Sequence, residues 1–257
     1  SLWQEILNIN SDDLLTSKYG SLTDPRRVKV IAFSSDKYGN KLTTKYSHRI
    51  SNPDIYSHYL ASIRELIQNN FEGGILVFAP SYNFIENITF PPRFNDIKCF
   101  VEDQNAKKNS FLIQEYKNTI LNGNRALFVG VLGGKLSEGT DLPHELVRLV
   151  IIIGIPYPPP KDPVIQLKRS YYENIRKGLG IDWYNALAFR KISQAIGRGW
   201  RTSTDYSIGI LLDDRLAYNS SIEKLPLWIK NSLYVPTSWQ DGMYAIDKFK
   251  NSLNKLK

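Results

Sequence analysis

The feature that most constrains this chain is a series of short runs that are apolar at nearly every position. Ile75-Leu76-Val77-Phe78, Ala126 to Leu132, Val147 to Ile155 and Tyr206 to Leu212 all read this way, broken only by Gly and a few polar residues. A strand with one wet face alternates apolar and polar residues. A strand apolar throughout has both faces covered. Segments with helical spacing lie between these runs. Pro53 to Asn70 carries Ile55, Leu60, Ile63 and Leu66-Ile67 near helical spacing, and Phe111 to Leu121, Pro163 to Lys177 and Asn185 to Ile196 also read as helices. Ile97 to Val101 reads as a further strand, and the residues around Ile85 as a short helix. Doubly covered strands alternating with helices predict an α/β fold with a central, mainly parallel sheet flanked by helices. Such sheets place their sites in loops at the carboxyl ends of strands. Ala79 to Tyr82 and Gly133 to Asp141 fit that rule. At the margins, Arg27 to Ser34 is expected as a strand in which Val28, Val30 and Ala32 alternate with their neighbours. The tail from Ile222 is expected to be helical and to pack through Leu225, Leu227 and Trp228.

Composition narrows the function classes. The 257 residues carry 33 Lys+Arg against 25 Asp+Glu, a net charge of +8, which favours a polyanionic partner. The charge is spread along the chain, so it supports that reading without carrying it. With 15 Tyr and 5 Trp, bases of a single strand could stack on exposed rings, although most of those rings are expected in the core or at its rim. No run approaches the roughly 20 apolar residues of a membrane helix. The first residues show no secretory signal and no starting Met, which suggests an intracellular protein and a piece of a longer chain. The single cysteine, Cys99, can form neither an internal disulfide nor a cysteine metal cluster by itself.

Three motifs carry chemistry. Gly133-Gly134-Lys135-Leu136-Ser137-Glu138-Gly139-Thr140-Asp141 follows a strand but is not a P-loop, because position 129 is Val and position 136 is Leu. The chain therefore lacks the loop that cradles ATP phosphates. In Gln194-Ala195-Ile196-Gly197-Arg198-Gly199-Trp200-Arg201, a continuing helix would place Gln194, Arg198 and Arg201 on one face. Guanidinium groups suit phosphate oxygens because they bind bidentately and stay charged. A solvated basic helix end is the plain alternative. The third segment, Gly74 to Tyr82, is a buried strand that delivers Ser81 and Tyr82 into a loop.

Taken together, in this order, these segments resemble the second motor domain of superfamily-two helicases of the XPD and DinG type. Gly134 to Leu142 is similar to the fifth family motif, Gln194 to Arg201 to the sixth, and Leu76 to Tyr82 to the fourth. Gly154-Ile155-Pro156-Tyr157-Pro158 and Leu211-Leu212-Asp213-Asp214-Arg215 match further landmarks, so the resemblance runs from about Pro53 to Trp228. Thr140 and Leu142 stand where Ile and Phe are commoner.

The resemblance implies a single RecA-like domain over residues 1–257 and an ATP-dependent 5′-to-3′ DNA helicase acting in DNA repair, including nucleotide excision repair. Arg198 and Arg201 would act as arginine fingers, with Gln194 placing phosphate or water. Glu138, Gly139 and Asp141 would serve the nucleotide, and Ser81, Tyr82, Lys135 and Ser137 would contact single-stranded DNA. ATP and Mg²⁺ would be held mainly by a first motor domain, and a 4Fe–4S cluster, where present, by another part of the protein. Expected partners are single-stranded DNA, the first motor domain and repair-complex proteins, with no membrane. The expected location is cytoplasmic in a prokaryote or archaeon and nuclear in a eukaryote. This chain alone is expected to be inactive. The rival reading is a RecA-like module that binds nucleic acid or a repair partner without hydrolysis.

Overall fold

The computed structural model describes residues 24–68, 72–134, 136, 142, 144–202 and 204–253. The chain enters through strand β1 (Val28–Phe33), helix α1 (Tyr46–Ser51), helix α2 (Ile55–Gln68), strand β2 (Gly74–Ala79) and helix α3 (Tyr82–Ile88). Strands β3 (Arg93–Phe94) and β4 (Ile97–Val101), helix α4 (Ala106–Leu121), and strands β5 (Ala126–Val131) and β6 (Leu149–Ile153) follow. A helical hairpin of α5 (Pro163–Ile175) and α6 (Leu179–Ile196) leads to β7 (Ser207–Leu212). The end comprises α7 (Asn219–Ile222), α8 (Leu227–Ser232), β8 (Leu233–Tyr234) and α9 (Trp239–Leu253).

One eight-stranded sheet has the order β3-β4-β5-β2-β6-β7-β1-β8. Every pairing is parallel except the short β3–β4 ladder at the edge. Successive side chains of a strand point to opposite faces, and here both faces are covered. Ile75, Val77, Ile151 and Ile210 pack with Ile63, Phe84 and Ile246 under α2, α3 and α9. Leu76, Phe78, Val150 and Leu211 pack with Tyr116, Phe189 and Ile192 under α4 and α6. The double burial expected of the apolar runs is therefore the observed architecture.

The differences lie at ends and margins. Helix α4 starts at Ala106, earlier than expected, because the Asn105 side chain accepts from the Lys107 amide and caps it. Helix α6 starts at Leu179, after Gly178 turns the chain at φ 86°. Strand β1 is covered on both sides rather than alternating, since β7 and β8 flank it and both helical layers reach it. In the tail, Leu225 and Ile229 are buried, but Leu227 is 68% exposed and does not serve as an anchor. Trp228 instead meets Trp200 edge-on, with ring centroids 5.9 Å apart.

Where the sheet ends, buried charge ties loops together. Asp213 follows β7 and is fully buried. Its carboxylate accepts from Arg215 Nε at 2.7 Å and Nη2 at 2.8 Å, and from the Thr44 amide at 3.0 Å and hydroxyl at 3.1 Å. Thr44 packs onto Gly154, where any Cβ would collide with it. The segment after β1 is thus fastened across the ends of β7 and β6. Asp213→Ala would leave the half-buried Arg215 guanidinium uncompensated, and the expected loss is about 3–5 kcal/mol, read by chemical denaturation with native-like circular dichroism retained in the folded baseline. Cys99 offers a second check. Burial pushes its thiol up to about 12, so at pH 8 only about one thiol in ten thousand is thiolate. Alkylation by iodoacetamide should be very slow in the folded protein and fast in urea, as read by mass spectrometry.

Candidate functional site

Loops emerge side by side at the carboxyl edge of the sheet, after β4, β5, β2, β6, β7 and β1. Ser81 caps α3: its Oγ accepts from the Phe84 amide at 3.2 Å, which fixes the turn out of β2. Tyr82 is the first helical residue and is half-buried. Its phenol feels the charge of Glu102, the residue that follows β4. Its phenol is raised above the ordinary tyrosine range, first by burial and then by the negative charge of Glu102.

Glu102 is only 5% exposed. Its Oε2 accepts from the Val131 amide at 2.7 Å, at the last residue of β5. The glycine loop begins immediately after. A Cβ at Gly130 or Gly134 would fall 2.8 Å from the Glu102 carboxylate, so these positions suit glycine through lack of room. Gly133 adopts φ 85°, a left-handed turn, and on its other side lies the end of the Lys191 side chain, from α6. Lys135, Ser137, Glu138, Gly139 and Asp141 lie outside the described residues. The next loop carries Pro156 to Pro160. Tyr157 stacks on Tyr184 of α6 with centroids 5.3 Å apart, and the Tyr157 hydroxyl donates to Asn185 Oδ1 at 3.1 Å.

The glutamine–arginine motif sits elsewhere. Helix α6 ends at Ile196, and Gly197–Gly199 form a tight 3₁₀ turn packed against Ser207, the first residue of β7. This is the amino edge of the sheet, so the motif is separated from Ser81 and Tyr82 by the length of a six-residue strand, about 20 Å. The continuous helical face expected for Gln194, Arg198 and Arg201 is not formed. Trp200 leaves helical geometry at φ −138° and ψ 93°, and its Nε1 donates to the Arg27 carbonyl at 3.0 Å. The bend beyond it is held by the buried Asp205, which accepts from the Arg201 and Thr202 amides at 3.0 and 2.9 Å. Gln194 and Arg201 are exposed and Arg198 is partly exposed. Both arginines already make contacts within the domain.

Among the described residues, no group of three or more His, Cys, Asp or Glu side chains could hold a metal ion. Nor is any described helix long and apolar enough to cross a membrane. Sequence reasoning missed Glu102, Lys191 and Asp205. Glu102 carried one legible cue, a carboxylate directly after an apolar strand. Lys191 and Asp205 carried none, since each matters through a neighbour distant in the chain or across a turn.

Residues 63–232 match the family described as Helicase C-terminal domain. The chain is 34% identical over 222 residues to the "Regulator of telomere elongation helicase 1 homolog" of Drosophila erecta, and equally to that of Drosophila melanogaster. Each match covers 80% of this chain but 22% of the relative, so this chain spans about a fifth of those proteins. Among solved structures it is similar to "XPD_Helicase", with TM-score 0.56, 23% identity, and coverage of 81% of this chain and 35% of the other. It is similar also to "Structure of S. tokodaii Xpd4", with TM-score 0.54, 21% identity, and coverage of 81% and 38%. These solved structures share the fold, and the family match agrees with the ordered motifs at both edges of the sheet: the chain belongs to the helicase C-terminal domain family.

Proposed function

We propose that this chain is the second motor domain of an ATP-dependent 5′-to-3′ DNA helicase of the XPD type that serves DNA repair. The observation that supports this most is the placement of two polar surfaces at opposite edges of one sheet. At the amino edge, Gln194, Arg198 and Arg201 lie outside the core. At the carboxyl edge lie Ser81, Tyr82 and the start of the glycine loop, where Lys191 packs beside Gly133.

ATP is the substrate, taken between this domain and a first motor domain that carries the P-loop. Arg198 and Arg201 would reach the γ-phosphate across that cleft and stabilise charge that develops during transfer. Gln194 would orient phosphate or the attacking water. Glu138, Gly139 and Asp141 would sense the nucleotide through the glycine loop. Ser81, Tyr82, Lys135 and Ser137 would hold the phosphates of a single strand without reading its sequence, and Lys191 would add a cation beside Gly133. A sheet packed on both faces moves as one body, so closing the cleft would shift the strand-holding edge as well.

Two experiments test this reading. In the full-length protein, Arg201→Ala should lower kcat for ATP hydrolysis by ~10³–10⁵ while nucleotide affinity and melting temperature change little. Arg201→Lys should recover only part of the loss, since an ammonium lacks the planar fork. Near-normal turnover in Arg201→Ala would point to the rival, non-hydrolysing module. This chain alone should release no phosphate above a buffer control. It should bind oligo-dT weakly, near ~10⁻⁴–10⁻⁶ M at physiological salt. Lys191→Gln should weaken that binding equally for all sequences and flatten the plot of log affinity against log salt by about 0.7. An unchanged slope would remove Lys191 from the phosphate track.

A further inference from the structure

We infer that helix α1 is part of the strand-contacting surface: Arg49 binds a phosphate of a single-stranded nucleic acid, and the exposed Tyr46 ring stacks on a neighbouring base. The inference rests on the proposed strand track and extends it to an element outside all three motifs. The chain reaches this place one strand end at a time. Strand β1 runs parallel to β7, so the segment that follows it starts at the carboxyl edge. Thr44 bonds Asp213 beyond β7 and packs on Gly154 beyond β6. Helix α1 then carries Arg49 to Phe84, in α3 beyond β2, with the guanidinium 5.9 Å from the ring centroid. Phe84 is the residue whose amide Ser81 caps, so α1 borders the Ser81–Tyr82 turn.

The chemistry of this corner suits a phosphodiester strand. Phe84 is fully buried and packs against Tyr56 and Tyr59, with centroids 5.1 and 5.5 Å apart. The Arg49 guanidinium also lies 5.8 Å from the centroid of the Tyr46 ring, one turn earlier in the helix. Contact with ring faces places a guanidinium without using its N–H groups. Among the described residues the Arg49 side chain makes no hydrogen bond or ion pair, and its Nε is buried without a partner. The carboxylates that follow β7, Asp213 and Asp214, pair with Arg215 and Lys41 instead. A planar fork of unused donors fits phosphate oxygens. Beside it Tyr46 is 72% exposed, and Lys45 is exposed as well. Cations for the backbone and an open ring for the bases are the pair of features that single strands use.

The test measures the affinity of this chain for oligo-dT and for a duplex of equal length across a salt series, with melting temperatures for every variant. Arg49→Gln should weaken oligo-dT binding roughly five- to tenfold at about 50 mM salt and flatten the plot of log affinity against log salt by about 0.7. Arg49→Lys should restore that slope, because the charge remains, but not the full affinity, because an ammonium lacks the fork. Tyr46→Ala should weaken oligo-dT binding by about 5- to 150-fold with its salt slope unchanged. Duplex binding by Tyr46→Ala should stay near the parent value, since paired bases offer no free face, and Tyr46→Phe should bind oligo-dT as the parent does.

Oligo-dT binding that Tyr82→Ala weakens, with Arg49→Gln and Tyr46→Ala at the parent value, would overturn the inference while leaving the strand track in place. Losses in Arg49→Gln and Tyr46→Ala but none in Tyr82→Ala would keep α1 as the contact and remove the Ser81–Tyr82 turn from the track. An unchanged salt slope in Arg49→Gln would overturn the phosphate contact, and equal losses on single strand and duplex in Tyr46→Ala would overturn the stacking. Should Arg49→Gln fail to fold, Arg49→Lys and Tyr46→Ala decide, because Tyr46 lies outside the core: parent affinity in both would overturn the inference. No binding by the parent at low salt would overturn the strand track and the inference together.

Discussion

Burying both faces of a parallel sheet leaves polar chemistry nowhere to go but the two edges. Each interior strand here spends its side chains on two apolar layers, Ile75, Val77 and Ile151 on one side and Leu76, Phe78 and Val150 on the other. Apolar burial contributes roughly 25 cal/mol per Å², so a polar group placed mid-strand would forfeit that gain and carry its own desolvation cost. The backbone meets its hydrogen bonds within the ladder, and along β2, β5 and β6 polar side chains appear only beyond the strand ends. Both candidate surfaces therefore fall at strand ends, one at each edge, and the rigid layer between them fixes their separation.

The edges are organised by a few buried carboxylates. Asp213 joins Arg215 to Thr44 across the ends of β6 and β7. Glu102, which follows β4, holds the Val131 amide at the end of β5. Asp205 holds the bend that carries Arg201. For Asp213 and Asp205 a charge removed from water is matched by several donors, the condition under which such burial is tolerated. Apolar contacts could not do the same work, since they are indifferent to direction, whereas a carboxylate with several donors specifies where each loop starts. The surface loops that a ligand would meet are thus fixed at their roots by directional bonds.

Strands were the most legible elements. An all-apolar run of five or six residues has few other uses in a chain of this composition, and Ile97–Val101 was readable to the residue. Helix starts were less legible. The Asn105 cap was visible only as one polar residue among several, and α6 begins behind a glycine with no side-chain cap at all. The route of the glutamine–arginine motif was misread for a related reason. Helical spacing projected Arg201 onto the face of Gln194, but the Trp200 indole found the Arg27 carbonyl, a partner distant in sequence, and pulled the backbone into an extended turn.

The sequence by itself determined the fold class, the strands and the ordered motifs that mark the family, because those rest on local periodicity and on residue types at short spacing. Only the tertiary structure decided that the arginine motif and the Ser81–Tyr82 loop lie at opposite edges. It alone decided that Leu227 faces solvent, and that Glu102 and Lys191 flank the glycine loop. Those outcomes depend on strand order and on contacts between residues far apart in the chain. Strand order follows from how all the helices share two faces of one sheet, a constraint that no single segment carries.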